Sequence, residues 1–321
     1  TPLDESRYAR LVTDHLGITA TFMDIDPLAG IERQEEYLYL FEELYLTSPI
    51  PFMLTYGAMP AAGVKVTIDG HGADETFAGY PWDILSAFAD AGLRLADLKM
   101  VAATYWGMLD KDPAAVPPAA TWKLWLGWLA GRLRHRLSRR RRPQPSGEAW
   151  QRLDCLNKTL YQATHRTVLP TLLRNYDRYS MAQGVERRMP FMDYRLITWA
   201  FSIPWSAKLR RGFSKAVVRD ALAPFLPPEV AYRKGKIGFN APIVDWLKGP
   251  LKTFFLDSID SAAFWSCDLI NPGEVAREIR QVLANPQATF GQGEHAWMAL
   301  SPYLWEQAVI KHRYALPSAS G

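Results

Sequence analysis

Cysteine is scarce: Cys155 and Cys267 are the only two in 321 residues. That excludes a disulfide scaffold and any cysteine-rich zinc site, and a reducing, cytoplasmic setting is the expectation. No apolar run reaches about 18 residues, so no membrane-spanning helix is expected, and the opening residues do not read as a signal peptide. A general excess of positive charge is missing too. Lys plus Arg number 37 and Asp plus Glu 33, a net charge of +4. Seven of the cations fall in one tract: Arg132, Arg134, Arg136, Arg139, Arg140, Arg141 and Arg142. Without these seven the +4 becomes −3, so the pI near 8.9 reports one local tract. No nucleic-acid surface is implied. What is present is ordinary for a soluble domain: 48% hydrophobic and 22% charged residues, which excludes disordered and fibrous classes. The length suits one large domain or two ordinary ones.

Along the chain, a first helix is expected from Asp4 or Ser6, with Tyr8, Leu11, Val12, His15 and Leu16 on one face and Gly17 at its end. Ile18, Ala20 and Phe22 alternate as in a strand. Residues 34–46 read as a helix closed by Ser48-Pro49-Ile50-Pro51, residues 52–62 as a shorter helix, and Val64–Ile68 as a strand. This order argues for an α/β fold, a parallel sheet with flanking helices. A mostly helical second half follows residue 150. Between them, 100–148 reads as a Trp- and Arg-rich insertion ending in the linker Pro143-Gln144-Pro145-Ser146-Gly147.

Three segments carry candidate chemistry. In the first, the strand runs into Asp69-Gly70-His71-Gly72-Ala73-Asp74-Glu75, with a helix expected to start near Ala73. The glycines allow close backbone approach, the helix start offers free N–H groups to an anion, and the carboxylates are hard oxygen donors for Mg²⁺. A plain turn with acidic residues at a helix start explains that pattern equally well. The second segment, 169–193, gathers Arg174, Asp177, Arg178, Glu186, Arg187 and Arg188 before Pro190. A surface charge network is its simpler explanation. In the third, Lys234 and Lys236 flank Gly235, which suits a phosphate or pyrophosphate leaving group. A solvated loop is the commoner origin of such a pattern.

Taken in order, the segments GHGADETFAGY, LLRNYDRYSMAQGVERRMPFMD, KLRRGFSKAVVRDAL and RKGKIGFNAPIVDWL resemble the motifs of the asparagine synthetase family's synthetase domain. The resemblance covers most of 1–95 and 150–310. It implies an adenine nucleotide alpha hydrolase-like fold of the ATP-pyrophosphatase type. It also implies ATP-dependent amide formation through an acyl-adenylate with pyrophosphate release, using ATP and Mg²⁺. Asp74 matches a family metal ligand, with Glu75, Asp177, Arg178 and Glu186 in supporting places. Asp69, Gly70 and Gly72 match nucleotide-binding loop positions. Lys236 matches the lysine facing developing phosphate charge, and Lys234 competes with it because Gly235 shifts the alignment.

The sequence departs from the family's pattern in three ways. There is no Gly-Gly pair anywhere, so the phosphate-gripping Ser-Gly-Gly-x-Asp-Ser loop is missing. The chain is expected to start just beyond that loop, to be truncated at its amino end, and to make no amide alone. The glutaminase domain is also missing, and is expected in the parent chain. His71 stands where asparagine synthetases usually carry a glutamate, and an imidazole there is a candidate base near neutral pH. The expected activity of the parent is asparagine synthesis from aspartate with glutamine-derived ammonia. The alternatives are a relative acting on another carboxylate, of lasso-peptide cyclase or β-lactam synthetase type, or a non-catalytic scaffold that kept the fold. A homodimer is left open. For the insertion, Trp122, Trp125, Leu126, Leu129 and Leu133 share one helical face, with Leu124 and Trp128 off it. Packing against its own protein is expected there in preference to membrane contact.

Overall fold

Helices dominate the structure, a computed structural model that describes residues 4–41, 43–44, 48–137, 145–238 and 241–311, without the side chains of 135–137. Arg139–Arg142, Pro143, Gln144 and Phe239 of the segments above lie outside the described residues. Helix α1 spans Ser6–Leu16. The Asp4 carboxylate accepts from the Ser6 N–H at 2.8 Å, and Gly17 at φ 63° closes it as expected. The strand expected at 18–22 does not form. Ile18 and Phe22 are exposed, and alternation without a neighbouring strand leaves backbone groups unpaired, so coil in water is preferred.

Helix α2 covers Gln34–Phe41; of the rest of the expected 34–46, Glu43 and Leu44 are not helical and 42, 45 and 46 lie outside the described residues. Helix α3, Ile50–Ala61, starts earlier than expected, because Pro51 falls in the first turn, where a missing N–H is tolerated. Strand β1 is Val66–Ile68, and α4, Ala73–Phe77, starts at the residue expected. Helix α5 (Leu95–Met108) and α6 (Pro118–Leu137) follow. After the linker come α7 (Cys155–Gln162) and α8 (Leu169–Met181). Gly184, at φ 68°, turns the chain out of α8 and into strand β2, Glu186–Arg188.

Strand β2 departs from the mostly helical second half expected after residue 150. It pairs with β1 in parallel, Val66 opposite Glu186, Thr67 opposite Arg187 and Ile68 opposite Arg188. The expected parallel sheet is therefore present, but as two strands among the described residues. Alternation along the strands turns Thr67 and Arg187 inward, while Val66, Ile68, Glu186 and Arg188 are exposed.

Three apolar clusters hold the helices. Tyr37, Phe41, Phe52, Tyr56 and Tyr179 pack between α2, α3 and α8, with the Phe52 and Tyr179 rings stacked at 4.8 Å. A second cluster joins Ala78–Met108 to Leu156, Leu160, Trp205 and Leu209. The third gathers α10 (Ile243–Lys248), α11 (Pro272–Ala284) and α12 (Phe290–Trp305) around Phe255, Phe264 and Trp297. Helix α6 docks on the second cluster through Leu124, Trp125 and Trp128. Trp122, Leu126 and Leu133 stay exposed, so the residues that pack are mostly those off the shared apolar face.

Candidate functional site

The loop from β1 to α4 and the turn that follows this helix each depend on a glycine. Gly72 caps α4 at φ 96°, and a Cβ there would lie 2.8 Å from the Met192 sulfur. Gly79 leaves room for Asp74, whose Oδ1 would sit 2.0 Å from a Cβ. The Asp74 carboxylate accepts from Lys215 Nζ at 2.6 Å on Oδ1 and from Lys236 Nζ at 2.7 Å on Oδ2. Burial opposes its ionisation, but the two ammoniums outweigh that and hold the carboxyl below its usual range. Both lysines are fixed by their backbones. Lys215, in a left-handed conformation (φ 52°) just before helix α9, Ala216–Leu222, donates its N–H to the Phe77 carbonyl. The Lys236 N–H donates to the Met108 carbonyl at 3.0 Å.

This ion triad lies at a cleft of about 550 Å³ lined by Gly70, Gly79, Lys215, Arg219, Arg233, Lys234 and Lys236, with Tyr8 of α1 on one side. Arg233 pairs with Glu5 at 2.5 Å and lies over the Tyr8 ring at 4.5 Å. Five cations against few anions make the cleft a receptor for a polyanion. Lys234 is oriented differently from Lys236: its ammonium lies over the Phe213 ring at 5.4 Å.

Behind the triad the acids are buried. Glu75 is 2% exposed and accepts from the Tyr80 hydroxyl at 2.6 Å, so it does not face the cleft as a free ligand. Asp83 is 3% exposed, and burial together with Glu75 and Asp74 pushes its carboxyl up to about 7. Among the described residues no group of three or more His, Cys, Asp or Glu forms a metal cage. Mg²⁺ that shares its shell with phosphates and water asks for only one or two protein carboxylates. Asp74, held just behind the wall by Lys215 and Lys236, which line the cleft, fits that demand.

A second constellation hangs from the same loop. Arg187, 2% exposed at its side chain, donates Nε to Asp69 Oδ2 at 2.5 Å, and the Tyr56 hydroxyl donates to the same oxygen at 3.2 Å. Arg187 Nη2 lies 3.0 Å from His71 Nδ1. Since a guanidinium only donates, Nδ1 accepts, which leaves the proton of neutral His71 on Nε2. Burial and the Arg187 charge lower the His71 pKa. The candidate base thus has its free lone pair already engaged.

Asp69, Gly70, His71, Gly72, Asp74 and Lys236 are thus brought together on one loop and its facing wall. Asp177 is exposed on α8. Arg178 bonds the Phe41 carbonyl and lies 3.7 Å from Glu43. Glu186 pairs outward with Arg188 at 2.8 Å. These three supporting candidates stand apart from the cleft. Sequence reasoning passed over Lys215 and Arg219, although the Gly212-x-x-Lys215-x-x-x-Arg219 spacing carried both. Arg187 was grouped with its neighbours for want of the strand register that singles it out.

Residues 1–308 match the family described as asparagine synthase. The chain belongs to the asparagine synthase family. Among curated relatives, asparagine synthetase [glutamine-hydrolyzing] 1 of Bacillus subtilis is 25% identical over 272 residues, 76% of this chain and 42% of that protein. Asparagine synthetase [glutamine-hydrolyzing] 3 of the same organism is 27% identical over 173 residues, 53% of this chain and 25% of that protein. The amidase chyE of Penicillium rubens is 26% identical over 305 residues, 77% of this chain and 43% of that protein. The chain spans less than half the length of these curated relatives.

Proposed function

We propose that the intact protein forms amide bonds by activating a carboxylate with ATP, and that the Asp74–Lys215–Lys236 cleft holds the triphosphate. The observation that carries this reading is one carboxylate clasped by two lysines on the wall of a cation-rich cleft. A triphosphate offers those lysines more negative charge than Asp74 does. Lys215 and Lys236 then pass from the aspartate to phosphate oxygens, which frees Asp74. Mg²⁺, when bound there, neutralises phosphate charge, and Asp74 is the residue that would hold it. The substrate carboxylate attacks the α-phosphorus, the bond to the β-phosphate oxygen breaks, and pyrophosphate departs. An amine then attacks the acyl carbon and AMP leaves. Lys236 acts where negative charge grows on the leaving group, so it serves the transition state more than the ground state. Lys234 neutralises the cleft from farther off.

Aspartate as carboxylate and ammonia from a glutaminase domain form the first reading of substrate and partner. The second reading is a different carboxylate, which His71 favours. Burial and the Arg187 charge lower the His71 pKa, and the neutral ring offers an N–H where a glutamate would offer negative charge. The sheet fits a larger α/β architecture of adenine nucleotide alpha hydrolase type, since β1 exposes Val66 and Ile68 on one face that a parallel sheet normally covers. Carboxylate-dependent exchange of labelled pyrophosphate into ATP by the intact protein tests the reading. Exchange with aspartate supports the first substrate, exchange only with other carboxylates the second, and no exchange with any carboxylate overturns both.

A further inference from the structure

Helices α5 and α6 and the turn between them surround an apolar cavity of about 240 Å³. Leu95, Leu98, Trp106, Val116, Trp122 and Trp125 line it. Leu98 belongs to the buried second cluster, whereas Leu95 and Trp122 are about half exposed and mark the open side.

The polar groups of this cavity are few and of one kind. Lys99, Ala103 and Trp106 line it at i, i+4 and i+7, along one face of α5. The Trp106 Nε1–H is buried and has no acceptor among the described residues. A buried donor without a partner is destabilising, so an acceptor in the cavity is favoured over empty space or plain hydrocarbon. Lys99 is exposed, and among the described residues it is the one ionisable group of the lining.

A more open groove next to the cavity shares Lys99, Ala103 and Pro113 with it and adds Arg211 and Lys234. The acid of that groove, Asp112, has its Oδ1 engaged by the Ala114 N–H at 3.0 Å. Asp97 of α5 pairs with Arg94 at 2.9 Å and does not line the cavity. The charge at this end is therefore positive, and it complements an anion. An apolar recess with a few placed donors has the layout of a small-molecule site. Its size suffices, since a dry cavity of about 150 Å³ already takes up benzene. A protein or a bilayer could touch only its rim.

We propose that the cavity between α5 and α6 binds a small apolar monocarboxylate. Its chain lies against Leu98, Trp122 and Trp125, and its carboxylate is held by Lys99 and the Trp106 N–H. No residue of the cavity lines the nucleotide cleft, so this site stands apart from the reading of that cleft.

Equilibrium dialysis of the full chain with labelled octanoate tests it. Saturable binding at a single site is expected. 1-Octanol carries only the chain and acetate only the charge, and each should compete at least about tenfold more weakly. Lys99→Gln should weaken octanoate binding about tenfold, and Trp106→Phe, which keeps a ring but removes the N–H, about fivefold. Ala103→Phe places a ring between these two side chains and should abolish binding with unchanged circular dichroism. Should Ala103→Phe disturb folding, the Lys99 and Trp106 variants carry the test. Pyrophosphate should not displace octanoate. Any of four results would overturn the proposal: no saturable octanoate binding, octanol binding as tight as octanoate, displacement by pyrophosphate, or binding unchanged in the variants.

Discussion

Asp69 stands on the loop before α4 and Asp74 in the first turn of that helix, and each accepts from cationic side chains, yet their surroundings differ. The cations on Asp74 are two lysines, each about a quarter exposed at its side chain, on flexible stems that reach into a cleft. The partner of Asp69 is an arginine 2% exposed at its side chain, which is held also by His71 and by the Tyr176 ring at 4.9 Å, while the Tyr56 hydroxyl donates to Asp69 itself. Lysine ammoniums are point charges that can change partners, whereas a buried guanidinium fork is committed to one arrangement. The difference teaches that the Asp74 side is where an anion is exchanged. The Asp69 side is a rigid wall that fixes the loop and keeps His71 neutral.

The largest effect should come from Asp74→Asn. It keeps volume but removes the charge both lysines share, and carboxylate-dependent pyrophosphate release by the intact protein should fall by about 10²–10³ or more. Near-normal release would break the contrast at its root. Next come the two lysines of the third segment. Lys236→Ala should lower kcat by about 10² with a smaller change in KM for ATP, while Lys234→Ala should cost less than about tenfold. A damaging Lys234→Ala beside a silent Lys236→Ala would mean that the ammonium nearest Asp74 is not the one that acts.

Arg187→Met tests the rigid side. Leaving Asp69 without its buried partner should cost about 3 kcal/mol or more of stability, read from the shift of a urea unfolding midpoint. A loss of catalysis without a loss of stability would contradict the assignment of Arg187 to the wall.

How far these two constellations could be read beforehand follows from their chemistry. The Gly70–Tyr80 motif showed the loop, the helix start at Ala73 and the place of Asp74, because those depend on local glycine and capping geometry. The inward aim of Arg187 depends on pairing 186–188 with 66–68 across the chain, and no local signal encodes that register. The missing strand at 18–22 has the same cause, an alternating pattern without a neighbour. Lys215 was visible as a residue, but its left-handed backbone, which aims it at Asp74, was not. The register between Lys234 and Lys236 was open in the sequence because Gly235 shifts it. In the structure Lys236 alone of the two reaches Asp74.

A smaller effect should appear with pH. The folded pKa of His71 is lowered, so the unfolded chain binds the extra proton first. The stability this group contributes is complete above its ordinary value of about 6.5 and is lost as pH falls through it. Asp83 acts in the opposite sense: its folded pKa is raised to about 7, so its contribution is lost as pH rises from its ordinary value of 3.8 towards 7. Urea unfolding of the parent and His71→Asn proteins between pH 5 and 8 (a range of about three units around the histidine value) isolates the first slope. The parent should lose stability relative to the variant on the acid side. Parallel curves would show that His71 is not held neutral.

The exchange of anions at Asp74 is tested most directly by calorimetric titration of the protein with inorganic pyrophosphate, parent against Lys215→Ala–Lys236→Ala. Saturable binding by the parent, weakened by about tenfold or more in the double variant as two charge-assisted bonds are lost, is the expected result. Pyrophosphate binding of equal strength in both proteins would contradict it.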